Sequence, residues 1–207
     1  MRWLITLLLL VFFQWYSYQA LKTAISNRWI LYGYVFFTVI IVGNLLFYTL
    51  ILERNTTNEP RLMYAIGFFL SLLIFQLLVS VILLAEDVFR IPQALYSFLK
   101  RVPDQTQFIP SRRKIISQIA LGLASIPFAS LLYGMYRGKY NYKVLSYNLE
   151  FEDLPDAFDG LKITQISDIH SGSFDNQTKV QYGVYFVNQQ KSDLVLFTGD
   201  LVNNRAY

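Results

Sequence analysis

Four stretches of the chain contain no charged residue: Trp3 to Leu21, Trp29 to Leu52, Leu62 to Ala85 and Ile115 to Tyr136. Each approaches or exceeds the roughly 20 residues with which an α-helix crosses a hydrocarbon core of about 30 Å. The pattern therefore predicts four transmembrane helices. Where water is absent, only a helix or a closed barrel satisfies every backbone N–H and C=O, so single strands are excluded for these runs. The first run begins behind Arg2 as a signal peptide would, but it lacks a small-residue cleavage site. Its WYSYQA end reads as an interfacial aromatic belt.

The connections at 22 to 28 and 53 to 61 are short, whereas the third, from Glu86 to Lys114, is long and carries Arg90, Lys100, Arg101, Arg112, Arg113 and Lys114. By the positive-inside rule that loop is cytoplasmic, which sends both termini and everything after Arg137 to the other side. Within it, Val88, Ile91, Leu95 and Phe98 fall at helical spacing ahead of a stop at Pro103, which suggests a short interfacial helix. Ser111-Arg112-Arg113-Lys114 resembles a twin-arginine export signal, but its place after three apolar runs favours an ordinary basic flank.

After a linker over 138–143 the period changes. Val144 to Phe151 alternates, with Leu145, Tyr147, Leu149 and Phe151 on one face, and reads as a half-buried strand. A turn-rich stretch from Glu152 to Gly160 leads to a second strand, Leu161 to Ser167. Val180, Val184 and Val187 mark a helix between about Asn176 and Gln190, and the apolar run Leu194 to Thr198 fits a parallel strand covered on both faces. Strand, helix and strand make a βαβ unit. The chain is thus a helical membrane region over residues 1–137, followed over 144–207 by the start of an α/β domain.

Composition agrees: 54% of residues are hydrophobic, 17% aromatic and 15% charged, too little charge to cover one water-facing globule. The net charge of +4 comes from basic residues beside apolar runs, which reads as membrane anchoring and not as a nucleic-acid surface. The absence of cysteine removes disulfides and thiolate metal sites. The charge-free spans also lack the carboxylates, lysines and histidines that mark transport paths; Gln14, Asn44, Gln76 and Gln118 read as contacts between helices.

Chemistry concentrates at the ends of the two βαβ strands. The first ends Asp168-Ile169-His170, with the only histidine in the chain, and the second ends Gly199-Asp200. Side chains two apart on an extended segment point the same way, so Asp168 and His170 are expected to converge. Asp200, on a strand about 4.8 Å away, can reach the same point. Two carboxylates and an imidazole suit Mn, Fe or Zn, and Gly199 suits a sharp turn toward a metal.

LKITQISDIHSG followed about thirty residues later by DLVLFTGDLVNN resembles the opening of the calcineurin-like metallophosphoesterases, in particular their bacterial membrane-anchored subgroup. The resemblance covers roughly residues 111 to 207. It implies a β-sandwich with flanking helices and a site of two divalent metal ions that hydrolyses phosphomonoesters or phosphodiesters. It assigns Asp168 and His170 to the first metal and Asp200 to the bridge between both. The family pattern continues with a Gly-Asn-His segment and further histidines, none of which occurs in these 207 residues; Asn203 and Asn204 stand too close behind Asp200 to replace them. The expectation is the N-terminal part of a membrane-anchored phosphoesterase, inactive alone. Its partners would be the lipid bilayer and a phosphate ester, with a lipid-linked one suggested by the short tether. The alternative is a non-catalytic membrane protein that uses the βαβ unit for binding or assembly.

Overall fold

The structure is a computed structural model that describes residues 2–51, 60–100 and 110–202. Its element order is α1 (Arg2–Ala24), α2 (Arg28–Leu46), α3 (Pro60–Lys100), α4 (Pro110–Tyr136), β1 (Ile163–Ile166), α5 (Gln177–Gln189) and β2 (Leu194–Phe197). The chain divides into two compact units, one of Met1–Leu52 with Ala65–Leu132 and one of Glu53–Tyr64 with Tyr133–Tyr207.

In the first unit the usual distribution of residue sizes is inverted. Its buried cluster is Ala20, Val79, Leu83, Ala120 and Ala124, from α1, α3 and α4. Ser17, Ser71, Ser80 and Ser117 are buried as well, while Phe36 and Phe37 are 63% and 65% exposed. Small residues at the crossings let helix backbones approach closely, and large apolar side chains face outward, as expected where lipid is the solvent. Arg28–Leu50, Arg61–Pro92 and Arg112–Tyr136 are long and apolar enough to cross a membrane. The remaining helix, α1, carries Gln14, Tyr16, Ser17, Tyr18 and Gln19 within its 23 residues. A polar knot ties α1 to α2 and α3. The Gln76 amide donates to the Gln14 carbonyl oxygen and to the Tyr34 hydroxyl at 3.1 Å, and Ser17 Oγ donates to the Gln76 backbone carbonyl at 3.3 Å. Gln14 and Gln76 are therefore contacts between helices, as their positions predict.

The third connection differs from its prediction. Helix α3 does not stop at Glu86 but continues to Lys100, and α4 begins at Pro110. Val88, Ile91 and Leu95 lie exposed on this continuation of α3 instead of on a separate interfacial helix. Charge does not end a helix; a capping or breaking residue does. Pro92 sits inside α3 and Pro127 inside α4, where helix geometry adjusts locally around the lost N–H. The stop read at Pro103 lies outside the described residues, as does nearly all of the 53–61 connection.

The continuation has a structural use. Arg113 Nη1 lies 2.8 Å from Glu86 Oε2 and 2.5 Å from Asp87 Oδ1, and the Tyr16 hydroxyl donates to Asp87 Oδ2. Glu86 is 5% exposed at its side chain. The second arginine of the basic flank is thus the cation of a largely buried cluster that joins α1, α3 and α4.

The second unit contains the βαβ element. Strands β1 and β2 pair in parallel, Ile163 opposite Leu194 through Ile166 opposite Phe197. Helix α5 matches its predicted limits; Asn176 caps it by accepting from the Lys179 amide at 3.0 Å, and Gln190 closes it. Gly183, in mid-helix, gives up about 1 kcal/mol of helix propensity relative to Ala. Its missing Cβ makes room for the Tyr142 ring, whose Cζ would lie 2.8 Å from such an atom.

Val144 to Phe151 is not a strand. The segment forms no ladder, and Leu145, Tyr147, Leu149 and Phe151 are 60–79% exposed. Alternation prepares a segment to bury one face, but a strand also needs a partner for its backbone groups, and β1 and β2 pair only with each other among the described residues. For the same reason β2 is exposed along its whole length and not covered on both faces.

Candidate metal centre

The parallel ladder extends beyond the strands and carries the site. The Thr198 amide donates to the Ile166 carbonyl at 3.0 Å, Asp168 to Gly199 at 3.1 Å, His170 to Asp200 at 3.2 Å and Ser171 to Leu201 at 2.8 Å. The two loops leaving the strands are therefore zipped together, which sets Asp168 beside Gly199 and His170 beside Asp200.

Asp168, His170 and Asp200 come together at this point, each offering one donor atom, with all of these atoms within 4.8 Å of one another. His170 Nε2 lies 3.2 Å from Asp200 Oδ2, and both side chains are about half exposed. The convergence arises differently from the expectation. The first strand ends at Ile166, and Asp168, His170 and Asp200 have φ of 54°, 47° and 56°, with Lys191 the other such non-glycine described. The site is thus made from left-handed turns and not from an extended strand. Such conformations cost of order 1–3 kcal/mol each and are best tolerated by Asp, Asn and His among residues with a Cβ. Gly199, at φ 123°, provides the sharp exit foreseen for it.

The donor set fits a divalent ion. Ligands held 2.0–2.2 Å from one ion lie about 3.3–3.6 Å apart in a tetrahedron. His170 Nε2 and Asp200 Oδ2, at 3.2 Å, already stand near that spacing, and the trio as a whole, within 4.8 Å, reaches it by a side-chain shift of about an ångström. Two carboxylate oxygens and an imidazole nitrogen match Mn, Fe or Zn, and the exposure leaves coordination positions open. Ser167 Oγ donates to Asp168 Oδ2 at 2.5 Å and so orients that carboxylate, as outer-shell partners of metal ligands do.

A second cluster, which periodicity does not predict, braces the loop after His170. Asp175 accepts from the Tyr64 hydroxyl at 2.5 Å and from the Tyr140 hydroxyl at 2.6 Å, and pairs with Lys139 Nζ at 3.1 Å. The Asp175 and Asn176 amides donate in turn to the Tyr140 hydroxyl at 2.9 and 3.0 Å, and Lys139 also donates to the Ser173 carbonyl at 3.0 Å. Burial alone would raise the Asp175 pKa. The hydrogen bonds from Tyr140, Tyr64 and Lys139 outweigh it and hold the carboxyl well below the usual range. Tyr64 and Asp175 stand 111 positions apart, so no spacing rule could have linked them. The nearest signal was Asn176, a recognisable helix cap.

Residues 1–139 match the four-transmembrane phosphoesterase family, described as "Probable Calcineurin-like phosphoesterase, transmembrane domain", and residues 161–207 match "Calcineurin-like phosphoesterase". The chain belongs to the calcineurin-like phosphoesterases that carry a transmembrane domain. The transmembrane match bears out the helical membrane region, and the second match begins two residues before β1 and includes all three converging side chains.

Among curated relatives of this family member, a Danio rerio protein named "Transmembrane protein with metallophosphoesterase domain" is 32% identical over 75 residues, covering 36% of this chain and 17% of the relative. The uncharacterized metallophosphoesterase YkuE of Bacillus subtilis is 29% identical over 72 residues, 35% of this chain and 25% of that protein. An uncharacterized metallophosphoesterase of Helicobacter pylori is 32% identical over 101 residues, 48% of this chain and 26% of that protein. The matches thus span about a quarter or less of each relative's length. No solved structure matches the chain.

Proposed function

We propose that this family member is a membrane-bound, metal-dependent phosphoric ester hydrolase, with Asp168, His170 and Asp200 contributing to a centre of two divalent ions. The observation that carries the reading is the meeting of these three donors at the carboxyl ends of two paired parallel strands, where open α/β sheets bind ligands. Divalent ions in such a site supply Lewis-acid stabilisation of charge on phosphoryl oxygens and an activated water. The chain's own part is to hold the donors. The zipped ladder fixes the two loops against each other, Ser167 orients Asp168, and the Asp175 cluster braces the segment that follows His170.

The half-exposed site is open to a substrate of some size. A phosphoester presented at a membrane surface fits the turn Gly138–Tyr140, which follows directly on the α4 span ending at Tyr136 and holds the loop after His170 through Tyr140 and Asp175. The basic residues of 86–114 favour the cytoplasm for that connection, which puts the phosphoesterase portion on the non-cytoplasmic side.

The protein expressed from its complete open reading frame should hydrolyse an aryl phosphodiester in the presence of Mn or Zn and lose that activity on chelation. Failure with every divalent ion tried would remove the hydrolase reading. Sidedness has a separate test, because the chain has no native cysteine. An impermeant thiol reagent applied to intact cells should label Ser171→Cys and spare Ser97→Cys; the reverse pattern would invert the orientation.

A further inference from the structure

A cleft of about 730 Å³ in the second unit lies apart from the three converging donors and has no part in the proposed hydrolysis. Its walls include Tyr133 and Arg137 from the end of α4 and the residue after it, Tyr140 from the turn that follows, and Thr178, Lys179 and Tyr182 from the first half of α5. None of the residues that line it is acidic. Arg137 and Lys179 make no ion pair among the described residues, whereas the neighbouring Lys139 is neutralised by Asp175. The Lys179 ammonium is positioned by aromatic faces, 4.8 Å from the Tyr140 ring centre and 5.5 Å from that of Tyr136. Such contacts hold a cation in place without using its N–H donors.

The depth of the cleft is set by the chain itself. The apolar span of α4 ends at Tyr136, so Tyr133 belongs to its last turn and Arg137 is the first residue beyond it. Tyrosine rings and basic side chains at that level sit among lipid headgroups. Two uncompensated cations and hydroxyl-bearing rings around a cleft at headgroup depth are complementary to a phosphate monoanion or dianion.

We infer that this cleft binds the phosphate of an anionic phospholipid headgroup, with Arg137 and Lys179 as its cationic ligands. The guanidinium presents a planar fork of donors to two phosphate oxygens, and the ammonium acts as a point charge. A bound lipid would fix the approach of α5, and hence of the βαβ unit, to the membrane surface.

The test uses the 207-residue chain in uncharged detergent, titrated with short-chain lipids and followed by native mass spectrometry. Dioctanoyl phosphatidylglycerol should bind at least about tenfold more tightly than dioctanoyl phosphatidylcholine, and Arg137→Gln with Lys179→Gln should remove that preference. Each single change should give part of the loss. Lys162→Gln, at the opposite end of β1, should leave binding unchanged, and circular dichroism should report the same helix content throughout. A double variant that keeps wild-type affinity for phosphatidylglycerol would overturn the site. Equal affinity for both lipids, or competition by inorganic phosphate at concentrations matching the lipid, would overturn the assignment to an anionic lipid.

Discussion

Replacing Asp200 by Asn is expected to lower divalent-metal affinity, and hydrolysis by the protein expressed from its complete reading frame, by more than about 100-fold. Loss of an outer-shell partner of a metal ligand typically costs 10–100-fold, so loss of a ligand should exceed that range. The substitution keeps the side-chain shape and removes the negative charge. It also suits the backbone, because Asp200 stands at φ 56° and Asn is among the residues that best tolerate that region. A loss of metal therefore cannot be assigned to unfolding of the turn. Asp168→Asn should act in the same direction for the same reason. Metal titration of each variant beside its thermal melt is the measurement. Wild-type affinity in Asp200→Asn would take that residue out of the centre.

The second large effect belongs to the membrane unit. Arg113→Ala removes the cation from the cluster of Glu86, Asp87 and Tyr16 and leaves the Glu86 carboxylate buried without it. Breaking a buried pair from one side costs about 3–5 kcal/mol. The lower end is expected here because the Asp87 side chain is 34% exposed and partly solvated. Arg113→Lys should cost less, since one ammonium replaces a fork that reaches both carboxylates. Replacing Glu86 and Arg113 together by Leu and Met should recover part of the loss, because the only carboxylate left without its cation is then Asp87, which is 34% exposed and keeps the hydrogen bond from Tyr16. Thermal unfolding in detergent would rank the variants. An Arg113→Ala protein that melts with the wild type would mean that the cluster contributes nothing to stability.

The elements that could be read from the sequence were those whose signal is complete within one segment. Charge-free runs of about 20 residues are helices for local reasons, and α5 was legible from its valine stripe. The helical spacing of Val88, Ile91 and Leu95 was legible, but its continuity with α3 was not, because the charges at Glu86 and Asp87 read as the start of a connection although they belong to the Arg113 cluster. Val144 to Phe151 has a strand's pattern but no ladder partner among the described residues, and alternation cannot reveal whether a partner is present. The convergence of Asp168, His170 and Asp200 was foreseeable from their place at the ends of two neighbouring strands. Their geometry was not, because the left-handed turns at Asp168, His170 and Asp200 arise from pairing between loops thirty residues apart. The Asp175 cluster, assembled from Tyr64, Lys139 and Tyr140, left no local trace.

His170 is the only histidine in the chain, which makes one spectroscopic experiment decisive for the metal centre. The 207-residue protein loaded with Mn(II) should show, by pulsed electron paramagnetic resonance, coupling of the ion to an imidazole nitrogen. That coupling should change when histidine alone is labelled with ¹⁵N and vanish in His170→Gln. Mn(II) bound with no histidine coupling would contradict the assignment of His170 as a metal ligand beside Asp168 and Asp200.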